Sequence, residues 1–385
     1  MKLMRMTTIP MSLKILLKGQ LQFMLKNGLD VIAISSPQKE LEEISLIEGV
    51  NTFSVEMTRI ISPWQDIKSI YFVYKILKKV KPEIIHTHTP KAGIVGMLAA
   101  KLTGVPYRLH TVAGLPLLEA SGAKRIVLNF VERLTYACAT NVYPNSYGLE
   151  EIIEREGFCR KEKLKVLANG SSNGIDTTVF DYHFFDIAEK EKLRRDYQIE
   201  QDDFVFSFVG RLVKDKGINE LVQAFKRIHE QCPKTKLVLV GSFEKELDPL
   251  TPETEKEIDS NPAIITTGFQ NDVRPYFAIS DVFVFPSYRE GFPNVVMQAG
   301  AMGLPSIVTD INGCNEIIIE GQNGLIIPPK DVQALEQAML KLLTDAELRT
   351  SLAQQARPLI VSRYEQKVVW EALLAEYNRL LNRVV

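Results

Sequence analysis

The sequence predicts an α/β fold made of two domains, each with a parallel sheet covered by helices. Short apolar runs alternate with helical patterns from the start of the chain to residue 167. Residues 169–181, rich in Gly, Ser and Asn, interrupt this alternation, and it starts again at Phe204. A chain of 385 residues has the length of two domains of ordinary size. We therefore expect residues 169–181 to link two α/β domains.

The first domain is predicted from strands and helices that alternate along the chain. Gly28 follows the first helical pattern and Pro82 follows the second, as expected at helix ends. Strands joined by helices run parallel, so these elements should form one parallel sheet. The predicted strands cover residues 3–8, 31–35, 83–86, 107–110, 141–144 and 165–167, and the predicted helices cover 13–27, 67–80 and 92–102.

The second domain is predicted in the same way from residue 204 onward. Its first strand is followed by a helical pattern that carries Leu221, Phe225 and Ile228 on one stripe. A last helix is predicted over residues 365–381, with Val368, Leu373 and Leu380 at its apolar positions. The predicted strands of this half cover residues 204–210, 237–240, 263–266, 282–286 and 306–309.

The most informative segment runs from residue 287 to residue 303, S-Y-R-E-G-F-P-N-V-V-M-Q-A-G-A-M-G. A buried strand ends in a loop with Glu290 and Gly291, and a helix begins near Pro293. The start of a helix suits a phosphate, and Glu290 and Gln298 can face the same ligand. The alternative is an ordinary strand–loop–helix connection with a solvated glutamate.

A second segment places two cations around a strand-to-helix turn. Arg211 and Lys216 follow the strand that starts at Phe204, at the end where open α/β sheets bind ligands. A forked guanidinium and a point cation there can hold a diphosphate. The alternative is a pair of solvated loop cations. The two segments together favour a functional site.

These motifs resemble the family-4 retaining glycosyltransferases of the GT-B fold. The resemblance rests on G-R-L-V-K-D-K-G at residues 210–217 and E-G-F-P at 290–293. The runs H-T-H-T-P-K-A-G at 86–93 and N-G-S-S-N-G-I-D at 169–176 are similar to bacterial members that build capsular and other surface polysaccharides. The resemblance implies two Rossmann-like domains facing a central cleft.

The resemblance also implies that the two domains bind different substrates. Residues 1–176 would bind the acceptor, residues 177–364 would bind the nucleotide-sugar, and the helix over 365–385 would pack back on the first domain. The implied reaction is retaining transfer of a hexose or N-acetylhexosamine from a nucleotide-sugar, with UDP favoured, to a polyprenyl-diphosphate-linked sugar. The nucleotide-sugar is then a co-substrate, and we expect no cofactor.

The resemblance assigns roles to named residues. Catalytic roles fall on His110, which we expect at the end of its strand, and on Glu290, Arg211 and Lys216. For His110, a histidine bonded to local backbone is an equally good interpretation. The chain departs from the family pattern in two places. Family members have a second glutamate that holds the ribose, and this chain has Gln298 at that position. Many members also have a glycine pair after the first strand, and residues 7–13 of this chain read T-T-I-P-M-S-L instead. The donor-binding residues implied are Arg211, Lys216, Glu290, Gly291, Phe292, Pro293, Asn294 and Gln298.

Other polar residues are weaker candidates. His86 and His88 alternate on one strand, but a metal site would need a third ligand that the sequence does not offer, so packing is the better interpretation. No Asp-x-Asp occurs, and we predict no metal site. Lys91 could position an acceptor phosphate, although a solvated lysine is the simpler interpretation. Glu316 is as well placed to stabilise its own helix as to approach the diphosphate.

Composition and charge limit which partners the protein can have and where in the cell it can lie. The chain is 45% hydrophobic and 24% charged, and its four cysteines show no ligand or disulfide spacing. No apolar run reaches the ~20 residues that span a bilayer, so we expect a cytoplasmic protein. Residues 1–178 carry 23 Lys and Arg against 16 Asp and Glu. This predicts peripheral contact with an anionic membrane, on the inner face of the cell membrane. Nucleic acid is a poor candidate, because basic residues do not alternate with aromatics in any tract.

Two rival functions remain open at this stage. A nucleotide-sugar 2-epimerase of the same fold would act on its donor without an acceptor. A noncatalytic partner of a polysaccharide assembly complex would bind nucleotide weakly and release no diphosphate. A dinucleotide-dependent dehydrogenase is disfavoured, because the sequence contains no G-x-G-x-x-G.

Overall fold

The computed structural model describes residues 1–58, 60, 62–244, 246 and 248–382. The chain divides into two compact units. The first unit contains Met1–Gly174 together with the described part of the segment that begins at Gln366, and the second unit contains Ile175–Glu365. The chain therefore leaves the first unit once and returns to it with its last helix.

The first unit has one six-stranded sheet in which every neighbouring pair of strands is parallel. Its strands are β1 (Lys2–Met6), β2 (Asp30–Ser35), β3 (Asn51–Ser54), β4 (Ile84–Thr87), β5 (Tyr107–Val112) and β6 (Asn141–Pro144), in the order β3-β2-β1-β4-β5-β6. Its helices before the linker are α1 (Pro10–Leu16), α2 (Gln20–Lys26), α3 (Lys39–Glu48), α4 (Pro63–Val80), α5 (Pro90–Thr103), α6 (Gly122–Cys138) and α7 (Tyr147–Arg155). The predicted parallel sheet is confirmed.

The helix predicted over residues 13–27 is wrong as a single element. The chain forms α1 and α2 instead, and Gly19 between them has a left-handed φ of 77°. A Cβ atom at this position would lie 2.8 Å from the Trp370 ring. The apolar periodicity continues through the break, so the pattern alone could not reveal it.

Two strand predictions in the first unit also need correction. The strand predicted to end at His110 continues to Val112, so His110 lies inside β5 rather than at its end. Residues 165–167 form no strand, and only an isolated bridge joins Leu164 to Val142. Strand β3 lacks a long apolar run and escaped prediction.

The second unit repeats the same sheet topology. Its strands are β7 (Phe204–Val209), β8 (Thr235–Val240), β9 (Ile264–Gly268), β10 (Val282–Phe285), β11 (Ser306–Thr309) and β12 (Gly324–Ile327), in the order β12-β11-β10-β7-β8-β9. Its helices are α8 (Ile187–Asp196), α9 (Ile218–Gln231), α10 (Pro252–Ser260), α11 (Arg274–Ala278), α12 (Asn294–Ala301), α13 (Cys314–Ile317), α14 (Val332–Thr344) and α15 (Ala346–Tyr364). Both units thus have the strand order of a Rossmann fold.

Helix α9 has the buried face that its sequence predicts. Leu221, Phe225 and Ile228 are each fully buried, and they belong to the apolar core of the second unit. The described residues also include short 3₁₀ turns at Pro116–Glu119, Lys161–Lys163, Tyr182–Phe184 and Lys214–Lys216. Among the described residues, none of the helices is both long enough and apolar enough to span a bilayer.

The last helix, α16 (Gln366–Leu380), belongs to the first unit. Leu373 is buried as predicted, but Tyr377 and Glu376 are buried too, although both are polar. The Tyr143 hydroxyl donates to the Glu376 carboxylate at 3.0 Å, and Lys165 pairs with the same carboxylate at 2.7 Å. Polar bonds as well as apolar contacts therefore attach this helix to the sheet.

The topology of the second sheet decides where a ligand can bind. Strands β7 and β10 are neighbours, and the chain leaves them toward opposite halves of the sheet. In open α/β sheets the crevice at this switch in direction is the usual ligand site. The two segments singled out in the sequence follow β7 and β10, so the topology brings them together.

Candidate active site

The centre of the candidate site is an ion pair between Lys216 and Glu290. Lys216 ends the 3₁₀ turn after β7, and Glu290 lies in the loop after β10. The Lys216 ammonium contacts the Glu290 carboxylate, and their side chains are only 16% and 15% exposed. An ion pair so poorly hydrated is stronger than one at the surface, because water screens it less.

Neighbouring groups hold the Glu290 loop in place. The Ser287 hydroxyl donates to the same Glu290 oxygen at 2.9 Å, and the Thr309 hydroxyl donates to the Ser287 carbonyl. The Asn312 amide donates to the carbonyl oxygens of Glu290 and Gly291, at 3.1 and 2.7 Å. The loop is therefore anchored to the end of β11 as well as to β10.

A glycine allows the two loops to approach each other. Gly217 has a left-handed φ of 71° and lies next to Lys216 at the start of α9. A Cβ atom here would lie 2.1 Å from the Pro286 carbonyl oxygen, which is far inside van der Waals contact. Only glycine suits both the conformation and the approach.

Further side chains join the two loops at the rim of the site. Arg289 pairs with Asp215, and its Nε atom donates to that carboxylate at 3.0 Å. The Tyr288 hydroxyl donates to Glu220 at 2.6 Å, and burial raises the pKa of Tyr288. The hydroxyl of Tyr288 is thus protonated at neutral pH and acts as a donor.

Arg211 lies apart from the Lys216–Glu290 pair. Its side chain is 54% exposed, and its guanidinium donates to Glu244 at 2.8 Å. The structure therefore does not show Arg211 and Lys216 converging on one point. A long, exposed side chain of this kind keeps the freedom to turn toward an anion.

The helix expected near Pro293 is present as α12, and Pro293 is its N-cap residue. Phe292 is buried and packs edge-on against Tyr364, with ring centroids 5.4 Å apart. Asn294, the first helical residue, is exposed. Gln298 lies one turn further along α12 and is half-buried.

The backbone of Glu316 is hydrogen-bonded to α15, the last helix of the second unit. It lies in the first turn of α13, and its carbonyl oxygen accepts a hydrogen bond from Tyr364 at 2.9 Å. Glu316 thus contributes at least its backbone to the packing around α12 and α13.

The candidate residues of the first unit are buried or paired. His110 is 3% exposed, and its Nδ1 atom lies 2.7 Å from the Thr87 hydroxyl. Burial lowers its pKa to about 4. Lys91, expected to be solvated or to bind phosphate, instead pairs with Asp66 at 2.6 Å. Neither side chain presents a free charge in this conformation.

The prediction from sequence missed the residues that support the ion pair. Ser287, Asn312 and Asp215 are polar loop residues without a motif of their own. Ser287 could have been found, because it lies in the same loop after β10 as Glu290. Within the described residues, no three His, Cys, Asp or Glu side chains cluster as ligands for a metal ion.

Comparison with protein families matches both halves of the chain. The family model described as "Glycosyl transferases group 1" matches residues 189–358, which include Arg211, Lys216, Glu290 and Gln298. The model described as "Glycosyl transferase 4-like" matches residues 12–146. The two matches thus fall in the second and the first unit respectively.

Relatives and solved structures agree with these matches. The chain is 33% identical to the capsular polysaccharide biosynthesis glycosyltransferase CapM of Staphylococcus aureus, over 99% of this chain and 97% of CapM. It is 32% identical to an Escherichia coli UDP-Gal:alpha-D-GlcNAc-diphosphoundecaprenol alpha-1,3-galactosyltransferase, over 83% of this chain and 81% of that protein. HepE of Anabaena, solved with UDP, shares the fold with a TM-score of 0.80 and 18% identity, over 98% of this chain and all of HepE. The chain belongs to the group 1 and family-4-like glycosyltransferases, enzymes of the GT-B fold.

Proposed function

We propose that this enzyme transfers a hexose or N-acetylhexosamine from a nucleotide-sugar to a polyprenyl-diphosphate-linked sugar, with retention of configuration, in the synthesis of a capsular or related surface polysaccharide. The observation that carries the proposal is the Lys216–Glu290 pair at the switch point of the second sheet. The names of the Staphylococcus and Escherichia relatives support the polysaccharide and the lipid-linked acceptor. UDP is the favoured nucleotide, because the Escherichia relative is named for UDP-galactose and HepE was solved with UDP.

The second unit binds the donor in this proposal. Lys216 and Arg211 stabilise the negative charge that develops on the departing nucleoside diphosphate. Glu290, with the loop formed by Gly291, Phe292 and Pro293, orients hydroxyl groups of the donor sugar. The start of α12 at Asn294 faces a phosphate, and Gln298 binds the ribose hydroxyls. These cations supply the positive charge that a metal ion supplies in other transferases. Turnover should therefore stay the same when a chelator is added.

The first unit binds the acceptor. The acceptor hydroxyl attacks the anomeric carbon on the face from which the diphosphate leaves, and a donor phosphate oxygen takes the hydroxyl proton. The bond from the anomeric carbon to the diphosphate oxygen breaks as the bond to the acceptor oxygen forms on the same face, so configuration is retained without an enzymic nucleophile. His110 is proposed to assist from the first unit, where Thr87 orients its neutral ring. A neutral imidazole can donate or accept one hydrogen bond at its second nitrogen.

The test is a screen of nucleotide-sugars for nucleoside diphosphate release, with and without short-chain polyprenyl-diphosphate-linked sugars. We expect release that depends on the acceptor, and a product whose anomeric proton coupling matches that of the donor. Conversion of the donor without any acceptor would instead identify a 2-epimerase. Absence of release with every pair, from a protein that is folded, would favour the noncatalytic partner.

We also propose that the first unit touches the inner face of the cell membrane. On α4, Trp64, Ile67 and Tyr71 are 72%, 58% and 53% exposed along one face. Lys75 and Lys79 continue this exposed face toward the end of the helix. Tryptophan and tyrosine favour the interface of a bilayer, and each basic group near anionic lipid contributes on the order of 1 kcal/mol.

Flotation with liposomes tests this proposal. The protein should bind anionic vesicles more than neutral ones, and the binding should weaken as salt rises. The double variant Lys75→Glu and Lys79→Glu should lose binding. The matched control, Lys192→Glu and Lys234→Glu, reverses two exposed charges on the second unit and should keep it. Equal flotation of both variants would contradict the proposed surface.

A further inference from the structure

The first unit contains a fully buried arginine that has no carboxylate partner. Arg5 lies in β1, and no ion pair to it occurs among the described residues. Its guanidinium donates to neutral acceptors, the His88 Nε2 atom at 3.0 Å, the Tyr377 hydroxyl at 3.1 Å and the Gln20 amide oxygen. A buried cation requires such acceptors, because leaving its donors unpaired is costly.

The contact with Arg5 fixes the proton on His88. Because the Arg5 N–H donates to Nε2, that nitrogen carries the lone pair and the proton of the neutral ring lies on Nδ1. Burial, together with the charge of Arg5, lowers the pKa of His88 well below its ordinary value. His88 is therefore neutral and presents one N–H donor at Nδ1.

This donor has no acceptor in the described part of the chain, although His88 is only 4% exposed. The nearby His86 differs, since its two ring nitrogens lie 2.7 Å from the hydroxyls of Tyr377 and Thr111. The Oδ1 atom of Asn145 and the Oγ atom of Ser172 are also buried without a partner. Buried polar atoms are rarely left unpaired, so each of these three requires an explanation.

All three residues line the same small cavity. Its volume is about 20 Å³, and the rest of its wall combines apolar side chains with polar ones: Pro144, Leu167, Val369, Leu373, His86, Thr111, Tyr143 and Ser171. A cavity of roughly 10–15 Å³ already holds one water molecule. The cavity lies beyond the carboxyl ends of β4 and β6, where sheets of this type bind ligands. Its size and position suit one oxygen atom of a ligand.

On the basis of the proposed function, we infer that this cavity binds one hydroxyl group of the acceptor sugar. His88 donates to the hydroxyl oxygen, the hydroxyl donates to Asn145, and Ser172 can do either. A phosphate oxygen could accept from His88 but could not donate to Asn145. The pairing of a fixed donor with an acceptor therefore selects a hydroxyl over an anion. A water molecule has the same chemistry, and the experiment separates the two.

The test measures acceptor binding without any donor present. Farnesyl-diphosphate-linked N-acetylglucosamine is the probe, and farnesyl diphosphate, which lacks the sugar, is the matched ligand. Ser172→Ala and Asn145→Leu should each weaken binding of the sugar-bearing probe ~10-fold or more, with binding of farnesyl diphosphate unchanged. Their melting temperatures should stay near that of the parent. The control Ser207→Ala removes a buried hydroxyl without a partner in the second unit and should change neither affinity.

Several outcomes would overturn the inference. If both variants bind the sugar-bearing probe like the parent but melt at lower temperature, the cavity holds a structural water only. If the variants lose equal affinity for the sugar-bearing probe and for farnesyl diphosphate, the cavity does not recognise the sugar. The same conclusion follows if the parent binds the two ligands equally tightly. A parent that binds the probe with the predicted variant pattern, yet releases no diphosphate with any donor, would contradict the proposed function and leave the hydroxyl subsite supported.

Discussion

Removing the charge of Lys216 should separate its effect on turnover from its effect on stability. Lys216→Met keeps most of the length of the side chain and deletes the ammonium that contacts Glu290. If Lys216 meets the charge of the departing diphosphate, kcat should fall ~10²- to 10³-fold, as for other preorganised donors. Both side chains of the pair are about 85% shielded from water, because they are only 16% and 15% exposed. The Glu290 carboxylate left behind is therefore poorly solvated.

The stability effect follows from this burial. Breaking a fully buried pair costs about 3–5 kcal/mol, and the remaining exposure and the Ser287 hydrogen bond reduce this to about 1–3 kcal/mol. A domain of this size loses about 2–4 °C of melting temperature for each kcal/mol. Glu290→Gln in the Lys216→Met background removes the unpaired carboxylate, so the double variant should melt closer to the parent. Its turnover should stay low.

The experiment measures steady-state release of nucleoside diphosphate and the melting temperature of four proteins. These are the parent, both single variants and the double variant. Recovered stability supports a direct role of Lys216 in charge stabilisation if the double variant also turns over more slowly than Glu290→Gln alone. A folded Lys216→Met variant with near-parental kcat would contradict this role. A double variant that recovers both stability and turnover would also contradict it, since the ammonium would then serve only to neutralise Glu290.

Three further predictions concern residues around the two sheets. Arg211→Ala should lower kcat roughly 10²-fold. Its melting temperature should stay nearly unchanged, because the exposed pair of Arg211 with Glu244 contributes only about 0–1 kcal/mol to stability. Unchanged turnover would mean that the diphosphate binds elsewhere. Gln298→Leu should weaken nucleoside diphosphate binding by about 1–3 kcal/mol in calorimetry, whereas Gln298→Glu should keep or improve it; equal affinity of Gln298→Leu and the parent would rule out the ribose contact. The pKa of His110 is lowered from 6.5 to about 4, so the unfolded chain takes up this proton first. His110 should therefore contribute to a loss of stability as pH falls from about 6.5 to 4, and His110→Gln should reduce that slope in urea melts.

Most of the fold of the second unit was predictable because the local signals agree with the tertiary structure, although the short edge strand β12 escaped prediction. The run that begins at Phe204 is a buried central strand, and the helix after it buries the stripe predicted from its period. Gly217 marks the turn between them by its motif and by its left-handed backbone. The first unit was less regular, since Gly19 breaks a helix without breaking the apolar period. A helix break of this kind depends on packing against Trp370, which no local pattern reports.

The candidate site was predictable in its parts but not in its assembly. Lys216 and Glu290 are far apart in the sequence and were identified in separate motifs. Their contact depends on β7 and β10 being neighbours, and strand order is a property of the whole sheet. His110 shows the limit of such signals, because a strand boundary two residues off places this residue within β5 rather than after it. Strand ends are therefore the least secure basis for assigning catalytic residues.

The pairing of Lys216 with Glu290 has a consequence for how the site selects its ligand. With the carboxylate in contact, the ammonium is already largely neutralised, so a bare anion meets little net charge at this point. A ligand that carries both a diphosphate and sugar hydroxyls can satisfy the two partners at once, because the hydroxyls donate to Glu290 while the phosphate oxygens accept from Lys216. Neither half of such a ligand alone compensates for separating the pair. If the proposed function holds, we therefore expect the site to bind an intact nucleotide-sugar more tightly than free phosphate, free sugar or the nucleoside diphosphate that remains after transfer.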